Sequence, residues 1–435
     1  MDRQAMKKLQ AWKEGTHRKP LIIRGARQVG KTWLMKEFGR TCFQNVAYVN
    51  FDNNPSMQSV FAGGYDIAHL ISALQIATDT KITPKDTLII FDEVQEVPEA
   101  LASLKYFAEN APEYAIVAAG SLLGVALHNR ASFPVGKVEF LDLHPLNFRE
   151  FLDAMGKEQL NKLIEKKDVD LINSFRDTWA GLLKQYYYIG GMPEAVTTYL
   201  NTKDFAAVRQ IQKDLLASYD QDFSKHTPVE TVPRIRMVWN ALPTQLAREN
   251  RKFVYGQIRG GARAKDFELA IQWLEDSGLV TKVSRITKPD VPLNGYMDVQ
   301  TFKLYVLDVG LLGAMGDLEV KTLIDGSSIF EEFKGSLTEQ YVLQQLISDL
   351  NLHAFYYTAA HNMGEIEFVV QRAQDVIPIE VKAAENLKSQ SLVAYCKKYT
   401  PKYAIRTSMS GFRKQSWMMN IPLYAIALLD SVEDL

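Results

Sequence analysis

Residues 25–32 read Gly-Ala-Arg-Gln-Val-Gly-Lys-Thr, a complete match to the pattern G-x-x-x-x-G-K-[ST]. An apolar run at residues 20–23 comes directly before this stretch, and a run of helical character, residues 33–38, comes directly after it. The chain thus has a strand, a glycine-bounded loop and a helix in the order that phosphate binding requires. In this arrangement the N–H groups of the loop and the helix N-terminus face the anion.

The sequence therefore predicts an ATP site in this loop. Lys31 would reach the β- and γ-phosphates, and Thr32 would offer its hydroxyl to Mg²⁺. The predicted nucleotide-binding residues are the loop and the residue that follows it: Gly25, Ala26, Arg27, Gln28, Val29, Gly30, Lys31, Thr32 and Trp33.

An acidic pair lies farther along the chain. Residues 88–91, Leu-Ile-Ile-Phe, form a continuous apolar run that is typical of a strand buried on both faces, and Asp92 and Glu93 follow it. An aspartate in this place can hold Mg²⁺, and the next carboxylate can polarise the attacking water. We predict that Asp92 is a Mg²⁺ ligand and Glu93 a catalytic residue. A buried strand with an acidic helix cap is the alternative.

A third apolar run, residues 114–119, ends in Gly120 and Ser121. In the branch of phosphate-loop enzymes that has a glutamate after the Mg²⁺-binding aspartate, the neighbouring strand carries a polar residue at its tip. Ser121 is in that place and would orient the water or contact the γ-phosphate. A serine in a simple turn explains the sequence equally well. Lys31, Glu93 and Ser121 are the predicted catalytic residues.

Composition excludes several classes of protein. Of the 435 residues, 47% are hydrophobic and 23% charged, which is typical of globular proteins, and the net charge of −1 gives no overall attraction to nucleic acid or membranes. Cys42 and Cys396 are far apart and have no partners at metal-ligand spacing, which favours a reducing compartment. The N-terminus lacks the apolar core of a signal peptide, and the longest apolar stretch, residues 115–127, is too short for a membrane span. We expect a cytoplasmic protein.

Strands and helices alternate in the first third of the chain. The expected strands are residues 21–24, 46–51, 88–91, 115–119 and 138–143. This alternation predicts an α/β fold with a parallel sheet, helices on both faces and a ligand at the carboxyl ends of the strands. Residues 156–200 read as helical. In this region Gly190 and Gly191 end one helix and Pro193 begins the next.

Residues 230–285 read as helices followed by a strand pair, the pattern of a winged helix. Residues 267–277 have apolar side chains at helical spacing, the helix stops at Gly278, and a strand begins at Val280. Six residues between 248 and 265 are basic and one is acidic, a stripe that would bind DNA phosphates. A solvated helix face with a glycine-rich turn is the alternative.

The last third contains a second acidic constellation. Glu339 lies on the apolar face of an expected helix, Glu367 lies in an expected strand, and Glu380 and Lys382 share one face of the next strand. This set resembles the core of the PD-(D/E)xK nucleases, in which such residues bind a metal ion while the lysine stabilises charge. The chain departs from that pattern because Glu367 stands where aspartate is usual. A salt-bridged cluster at a sheet edge is the alternative.

Taken together, these motifs resemble a family of bacterial and archaeal AAA-like ATPases, grouped near the signal-transduction (STAND-type) ATPases. Its members pair an N-terminal phosphate-loop domain with a C-terminal domain of unknown function of the 4143 type. The matching residues span nearly the whole chain: 25–32, 91–93, 120–121, 145–151, 190–194, 273–279 and 379–382.

The resemblance implies four regions. An AAA-like P-loop ATPase domain would span residues 1–155, a helical lid 156–225, a winged-helix segment 226–300 and an α/β nuclease-like domain 301–435. Family members often carry Gly-Arg where this chain has Gly136-Lys137, and a lysine cannot make the same bidentate contact with a neighbouring site. Lys137 and Arg130 are weak substitutes, so formation of a homo-oligomer stays open.

Three hypotheses follow. The first is a Mg²⁺-dependent ATPase whose nucleotide state controls how the C-terminal domains bind a partner, either DNA or protein. The second is an ATP-dependent DNA-processing enzyme with a metal-dependent nuclease domain. The third is an adaptor that binds ATP without hydrolysing it.

Overall fold

The computed structural model describes residues 1–120, 133–225, 227–248, 251–325, 331–359, 364–383 and 389–435. Ser121 and Arg130 lie outside these ranges, so their predicted roles stay predictions. The described chain forms two compact units. Unit 1 comprises residues 1–144 with 276–278, and unit 2 comprises residues 145–275 with 279–435.

Unit 1 is an α/β unit built on a parallel sheet. Its five described strands are β1 (Leu21–Arg24), β2 (Asn45–Asn50), β3 (Thr87–Asp92), β4 (Ala115–Ala119) and β5 (Glu139–Asp142). They are hydrogen-bonded in the order β2-β3-β4-β1-β5, and every neighbouring pair is parallel. The described helices are α1 (Ala5–Glu14), α2 (Lys31–Cys42), α3 (Pro55–Ala62), α4 (Ile67–Thr78) and α5 (Pro98–Asn110). The predicted fold class and the five predicted strands are confirmed.

The two faces of this sheet have different neighbours. Val49, Phe51, Ile89 and Phe91 point to one face and belong to a single buried apolar cluster. Since side chains alternate along a strand, the even-numbered residues of β2 and β3 point to the other face. Helix α2 lies on that second face, where a Cβ added to Gly39 would lie 2.6 Å from the Val46 side chain.

Unit 2 begins with helices. Its described helices, some of them short, are α6 (Phe148–Ala154), α7 (Glu158–Glu165), α8 (Val169–Ser174), α9 (Arg176–Ile189), α10 (Pro193–Thr202), α11 (Phe205–Lys225), α12 (Val232–Leu246), α13 (Ala264–Asp276), α14 (Val309–Met315), α15 (Val320–Asp325), α16 (Glu331–Ser348) and α17 (Gln390–Tyr399). Helix α9 ends at Ile189, directly before Gly190, and α10 begins at Pro193, as predicted.

A mixed sheet completes unit 2. Its described strands are β6 (Val280–Ile286), β7 (Met297–Val306), β8 (Ala354–Thr358), β9 (Glu365–Arg372), β10 (Asp375–Val381), β11 (Ile405–Ser408), β12 (Arg413–Lys414) and β13 (Met419–Pro422). The order is β12-β13-β11-β10-β9-β8-β6-β7. The strand pair expected in the winged-helix segment is thus hydrogen-bonded into the same sheet as the C-terminal strands, and residue 300 lies within β7. The four-region division and the winged-helix and nuclease-like folds stay predictions.

Among the described residues, no helix combines the length and the apolar character needed to cross a bilayer.

Candidate functional site

The loop between β1 and α2 has the backbone of an anion-binding turn. Gly25 has φ +147° and Gly30 has φ +96°, both in the region that favours glycine. A Cβ at Gly25 would lie 2.2 Å from the Leu143 carbonyl oxygen, so this position also requires glycine for space. The first hydrogen bond of α2 joins the Leu34 N–H to the Gly30 carbonyl, which leaves the preceding N–H groups without partners inside the helix.

Lys31 is buried in this loop. Its Nζ donates hydrogen bonds to the carbonyl oxygens of Gly25, at 2.9 Å, and Ala26, at 2.7 Å. Burial lowers the pKa of the Lys31 ammonium to about 8, against the opposing effect of the carboxylates of Glu93 and Asp92. The ammonium is therefore placed by neutral oxygens of the loop and is electrostatically coupled to both acidic residues at the tip of β3.

Asp92 is buried at the end of β3 and accepts hydrogen bonds from uncharged donors. The Thr32 hydroxyl donates to Asp92 Oδ2 at 2.7 Å, and the Tyr48 hydroxyl donates to the same oxygen at 2.9 Å. The other oxygen, Oδ1, accepts from the Glu93 N–H at 3.1 Å. The structure thus brings together the two residues predicted to bind Mg²⁺.

Glu93 lies at the turn that follows β3. Its φ of +51° is in the left-handed region, and the short 3₁₀ helix Val94–Glu96 begins directly after it. The side-chain amide of Gln95 donates to Glu93 Oε2 at 2.7 Å. This turn presents the predicted catalytic carboxylate beside Asp92 at the carboxyl edge of the sheet.

These residues fit a magnesium nucleotide. The loop N–H groups and Lys31 supply donors for phosphate oxygens, while the Thr32 hydroxyl and the Asp92 carboxylate supply the oxygen ligands that Mg²⁺ prefers. Trp33, the residue after the motif, is 45% exposed at the start of α2.

Two residues at this site were missed by the sequence analysis. Tyr48 contacts Asp92 from β2, as described above. Arg3 is buried, and its guanidinium donates to the carbonyl oxygens of Val29 in the loop, at 3.0 Å, and His144, at 2.6 Å. A tyrosine near the end of a strand and an arginine before the first helix are weak signals, because their partners lie far away in the sequence.

Lys137, the weak substitute for an arginine of a neighbouring subunit, is half exposed. Its Nζ lies 3.0 Å from Glu109 Oε1, and the lysine lowers the pKa of that carboxyl through its hydrogen bond. The structure therefore gives Lys137 a partner within its own unit.

The acidic residues of unit 2 have different surroundings. Glu339 on α16 forms an ion pair with Arg251 and accepts from the Tyr305 hydroxyl at 3.1 Å. The buried Lys303 Nζ lies 2.5 Å from Glu365 Oε1 and 3.8 Å from Glu339 Oε2. We call Arg251, Lys303, Glu339 and Glu365 the ion-pair cluster.

Glu367 lies on β9 and Glu380 on β10, and Lys382 directly follows the end of β10. Burial and the charge of Glu339 raise the pKa of the Glu367 carboxyl to about 8, against the effect of Lys382. Glu380 is buried, its Oε1 lies 3.4 Å from Lys382 Nζ, and it pairs in register with Arg406 on β11.

The described residues contain no group of three or more histidine, cysteine, aspartate or glutamate side chains arranged to hold a metal ion. The predicted second metal site at Glu339, Glu367 and Glu380 stays a prediction. Arg251 and Lys303 lie next to Glu339 and offset its charge. Such ion pairs are also what the alternative, a salt-bridged cluster, predicts.

The basic residues between 248 and 265 have different surroundings in the structure. Arg251 belongs to the ion-pair cluster, whereas Lys252, Arg259, Arg263 and Lys265 are exposed. The role of the exposed residues in contacting DNA stays a prediction.

Comparison with known families assigns parts of the chain. Residues 17–152 match the AAA domain, residues 180–322 match the domain of unknown function DUF8612, and residues 334–426 match the domain of unknown function DUF4143. The chain therefore carries an N-terminal AAA domain followed by a C-terminal DUF4143 domain, which confirms the resemblance drawn from the motifs. An AAA domain implies nucleotide binding, generally with Mg²⁺.

Solved structures that match the chain include the Walker-type ATPase of Pyrococcus abyssi, with 16% identity, a TM-score of 0.44, and coverage of 72% of this chain and 95% of that one. The Orc1 protein of Aeropyrum pernix in complex with DNA has 13% identity and a TM-score of 0.27, with 72% and 91% covered. Cdc6p of Pyrobaculum aerophilum has 12% identity and a TM-score of 0.25, with 74% and 93% covered. No curated protein matches the chain. The assignment rests on the family models, because these structural similarities are low.

Proposed function

We propose that unit 1 binds ATP with Mg²⁺ and hydrolyses it, and that its nucleotide state controls how the rest of the chain binds a partner. The observation that carries the proposal is the convergence of Lys31, Thr32, Asp92 and Glu93 on one edge of the parallel sheet, next to a loop whose two glycines have positive φ.

Each residue has a role that follows from its contacts. Lys31 exchanges its hydrogen bonds to the loop carbonyls for the β- and γ-phosphate oxygens. Thr32 and Asp92 would hold Mg²⁺, which when bound neutralises charge on the phosphates. Glu93 orients a water molecule and accepts its proton as the water oxygen bonds to the γ-phosphorus, while the bond from the γ-phosphorus to the bridging oxygen breaks and ADP leaves.

The control function is supported by contacts within unit 1. The Leu143 carbonyl lies next to Gly25, and the Leu143 N–H donates to the Arg24 carbonyl at 2.8 Å. Arg3 donates hydrogen bonds both to the loop and to His144. Residue 144 is the last one of unit 1 before the chain enters unit 2. A change of the loop on nucleotide binding would therefore act directly on the segment that connects the units.

Substituting Lys31→Ala tests the site. We expect ATP affinity, measured by calorimetry, to fall by about 100-fold, because removing one partner of a buried, hydrogen-bonded charge pair costs about 2–5 kcal/mol. Lys85→Ala, which truncates an exposed lysine before β3, is the matched control. Equal affinities of the two variants would contradict the proposal.

Turnover separates an ATPase from an adaptor. Glu93→Gln should retain ATP binding and lower phosphate release by about 100-fold or more, since general base catalysis contributes 10²- to 10⁴-fold. Phosphate release that is unmeasurable for the wild type, alone and with DNA, would favour the adaptor instead.

The control function needs its own measurement. Limited proteolysis of unit 2 and of residues 140–150 should change between ATP and ADP in the wild type and stay constant in Lys31→Ala. The rate of turnover with DNA and across protein concentration would then identify the partner class: stimulation by DNA favours nucleic acid, and a steep concentration dependence favours a second copy of the chain.

A further inference from the structure

A tyrosine from β2 contacts the predicted Mg²⁺ ligand. The Tyr48 hydroxyl donates to Asp92 Oδ2 at 2.9 Å, and this same oxygen accepts from the Thr32 hydroxyl at 2.7 Å. Thr32 lies on the phosphate loop side of the site, whereas Tyr48 belongs to the sheet. Asp92 is thus held from two independent elements.

Strand register explains why a tyrosine can make this contact. Asn50 pairs with Asp92 and Tyr48 pairs with Ile90, so Tyr48 is the diagonal neighbour of Asp92 on the face that α2 covers. Diagonal neighbours are about 7–8 Å apart at the backbone, a distance that only a long side chain can span. A phenylalanine would fill the same space without the donor.

Helix α2 also fixes the tyrosine ring. Lys36 Nζ lies 3.9 Å from the centre of the Tyr48 ring, and Lys36 is four residues after Thr32, on the same side of α2. A cation over the ring face restrains the ring orientation and hence the direction of the hydroxyl. The Tyr48 hydroxyl is therefore held in place from both the sheet and the helix.

We infer that Tyr48 is a positioning residue for Mg²⁺, acting through Asp92. Two hydrogen-bond donors on one carboxylate oxygen fix the rotation of the Asp92 carboxylate. One of them, the Thr32 hydroxyl, would also bind the Mg²⁺ ion. The Tyr48 hydroxyl would donate to Asp92 both with and without Mg²⁺. This inference rests on the proposed function, because it takes ATP and Mg²⁺ to bind at this site.

Tyr48→Phe tests the inference. The measured quantity is the dissociation constant of ATP, determined by calorimetry on the full chain in EDTA and across a Mg²⁺ titration. We expect the affinity for ATP in EDTA to be unchanged. Mg²⁺ should still increase the affinity for ATP, but the Mg²⁺ concentration that gives half of this increase should rise about three- to tenfold, the range expected for one net hydrogen bond. Tyr114→Phe removes the hydroxyl of a half-buried tyrosine next to β4 and serves as the matched control.

The outcomes distinguish the inference from the proposed function. An equal loss of affinity with and without Mg²⁺, or a lower unfolding temperature that accounts for the loss, would assign Tyr48 a purely structural role. A Mg²⁺ dependence identical to that of the wild type would refute the inference and leave the proposed function standing. A wild-type protein that binds no ATP in either condition would overturn both.

Discussion

The two units treat buried charge in different ways. At the nucleotide site Asp92 accepts from hydroxyl and N–H groups, and Lys31 donates to backbone carbonyls, so both form these hydrogen bonds with uncharged groups. In the ion-pair cluster the carboxylates of Glu339 and Glu365 contact the cations of Arg251 and Lys303 directly.

This difference is what we expect between a site that binds a charged ligand and an ion-pair cluster that stabilises the fold. A charge oriented by neutral dipoles keeps its field for a ligand of opposite sign, whereas a charge paired with a buried counterion has already lost most of it. Both regions contain a lysine among carboxylates, and the residue types alone therefore do not distinguish them. The four predictions below test this comparison.

The largest expected effect is on the ion-pair cluster. Lys303→Met keeps the volume and removes a fully buried charge, which leaves Glu365 without its closest cation. We expect the free energy of unfolding to fall by about 3–5 kcal/mol, measured with a chemical denaturant, while ATP affinity stays unchanged. Lys397→Met on the exposed side of α17 is the control. If Lys303→Met lost ATP affinity without losing stability, the expected structural role of the ion-pair cluster would be wrong.

Gly25→Ala should affect the nucleotide site next. The new Cβ would lie 2.2 Å from the Leu143 carbonyl oxygen at a φ that side chains rarely adopt. We expect ATP affinity to fall at least about tenfold and stability by about 2 kcal/mol. Gly64→Ala has a similar positive φ with no atom within 4 Å, so it reports the backbone strain alone. If the two variants lost ATP affinity and stability to the same extent, the close contact between Gly25 and Leu143 would have no effect on ATP binding.

Glu367→Gln gives a pH-dependent effect. The pKa of Glu367 is raised to about 8, above the value of about 4.3 for an unfolded chain. Between these two values the unfolded chain releases a proton that the folded chain keeps, so this group lowers stability as the pH rises through that window. The variant should therefore gain on the order of 1–3 kcal/mol over the wild type at pH 8 and almost nothing at pH 4. A difference in the free energy of unfolding between the variant and the wild type that does not change with pH would contradict the raised pKa of Glu367.

The smallest effect is expected at Arg3. Arg3→Ala removes donors to the Val29 and His144 carbonyls and should weaken ATP binding about three- to tenfold. Arg18→Ala is the control, because that guanidinium also donates to backbone carbonyls, of Lys13 and Glu113. Calorimetry on both variants checks the result. Equal affinities would show that Arg3 does not support the loop.

The sequence predicted much of unit 1 because its signals are local. The strands at β1 and β4 have the predicted bounds, since uninterrupted apolar runs next to glycine and polar residues mark both ends. The loop motif likewise depends on neighbours in the chain. Tyr48 and Arg3 were missed because each contact joins residues far apart in sequence, and nothing in their local pattern indicates a partner.

Unit 2 was harder to predict for a related reason. Glu339, Glu367, Glu380 and Lys382 were expected to act together from the helix face, the strand alternation and the resemblance to the PD-(D/E)xK core. The positions of Arg251 and Lys303, which neutralise Glu339 and Glu365, follow only from how the helices and strands pack. Strand β6 also pairs with β8, a partner that no short-range pattern predicts.

By itself, the sequence determined the order of strand, loop and helix at residues 20–42, the glycines that phosphate binding requires and the acidic end of β3, because each of these depends on residues adjacent in the chain. Only the tertiary structure decided which charges are paired. It placed neutral donors around Asp92 and buried cations beside Glu339, because pairing depends on distances between segments that the chain order does not specify.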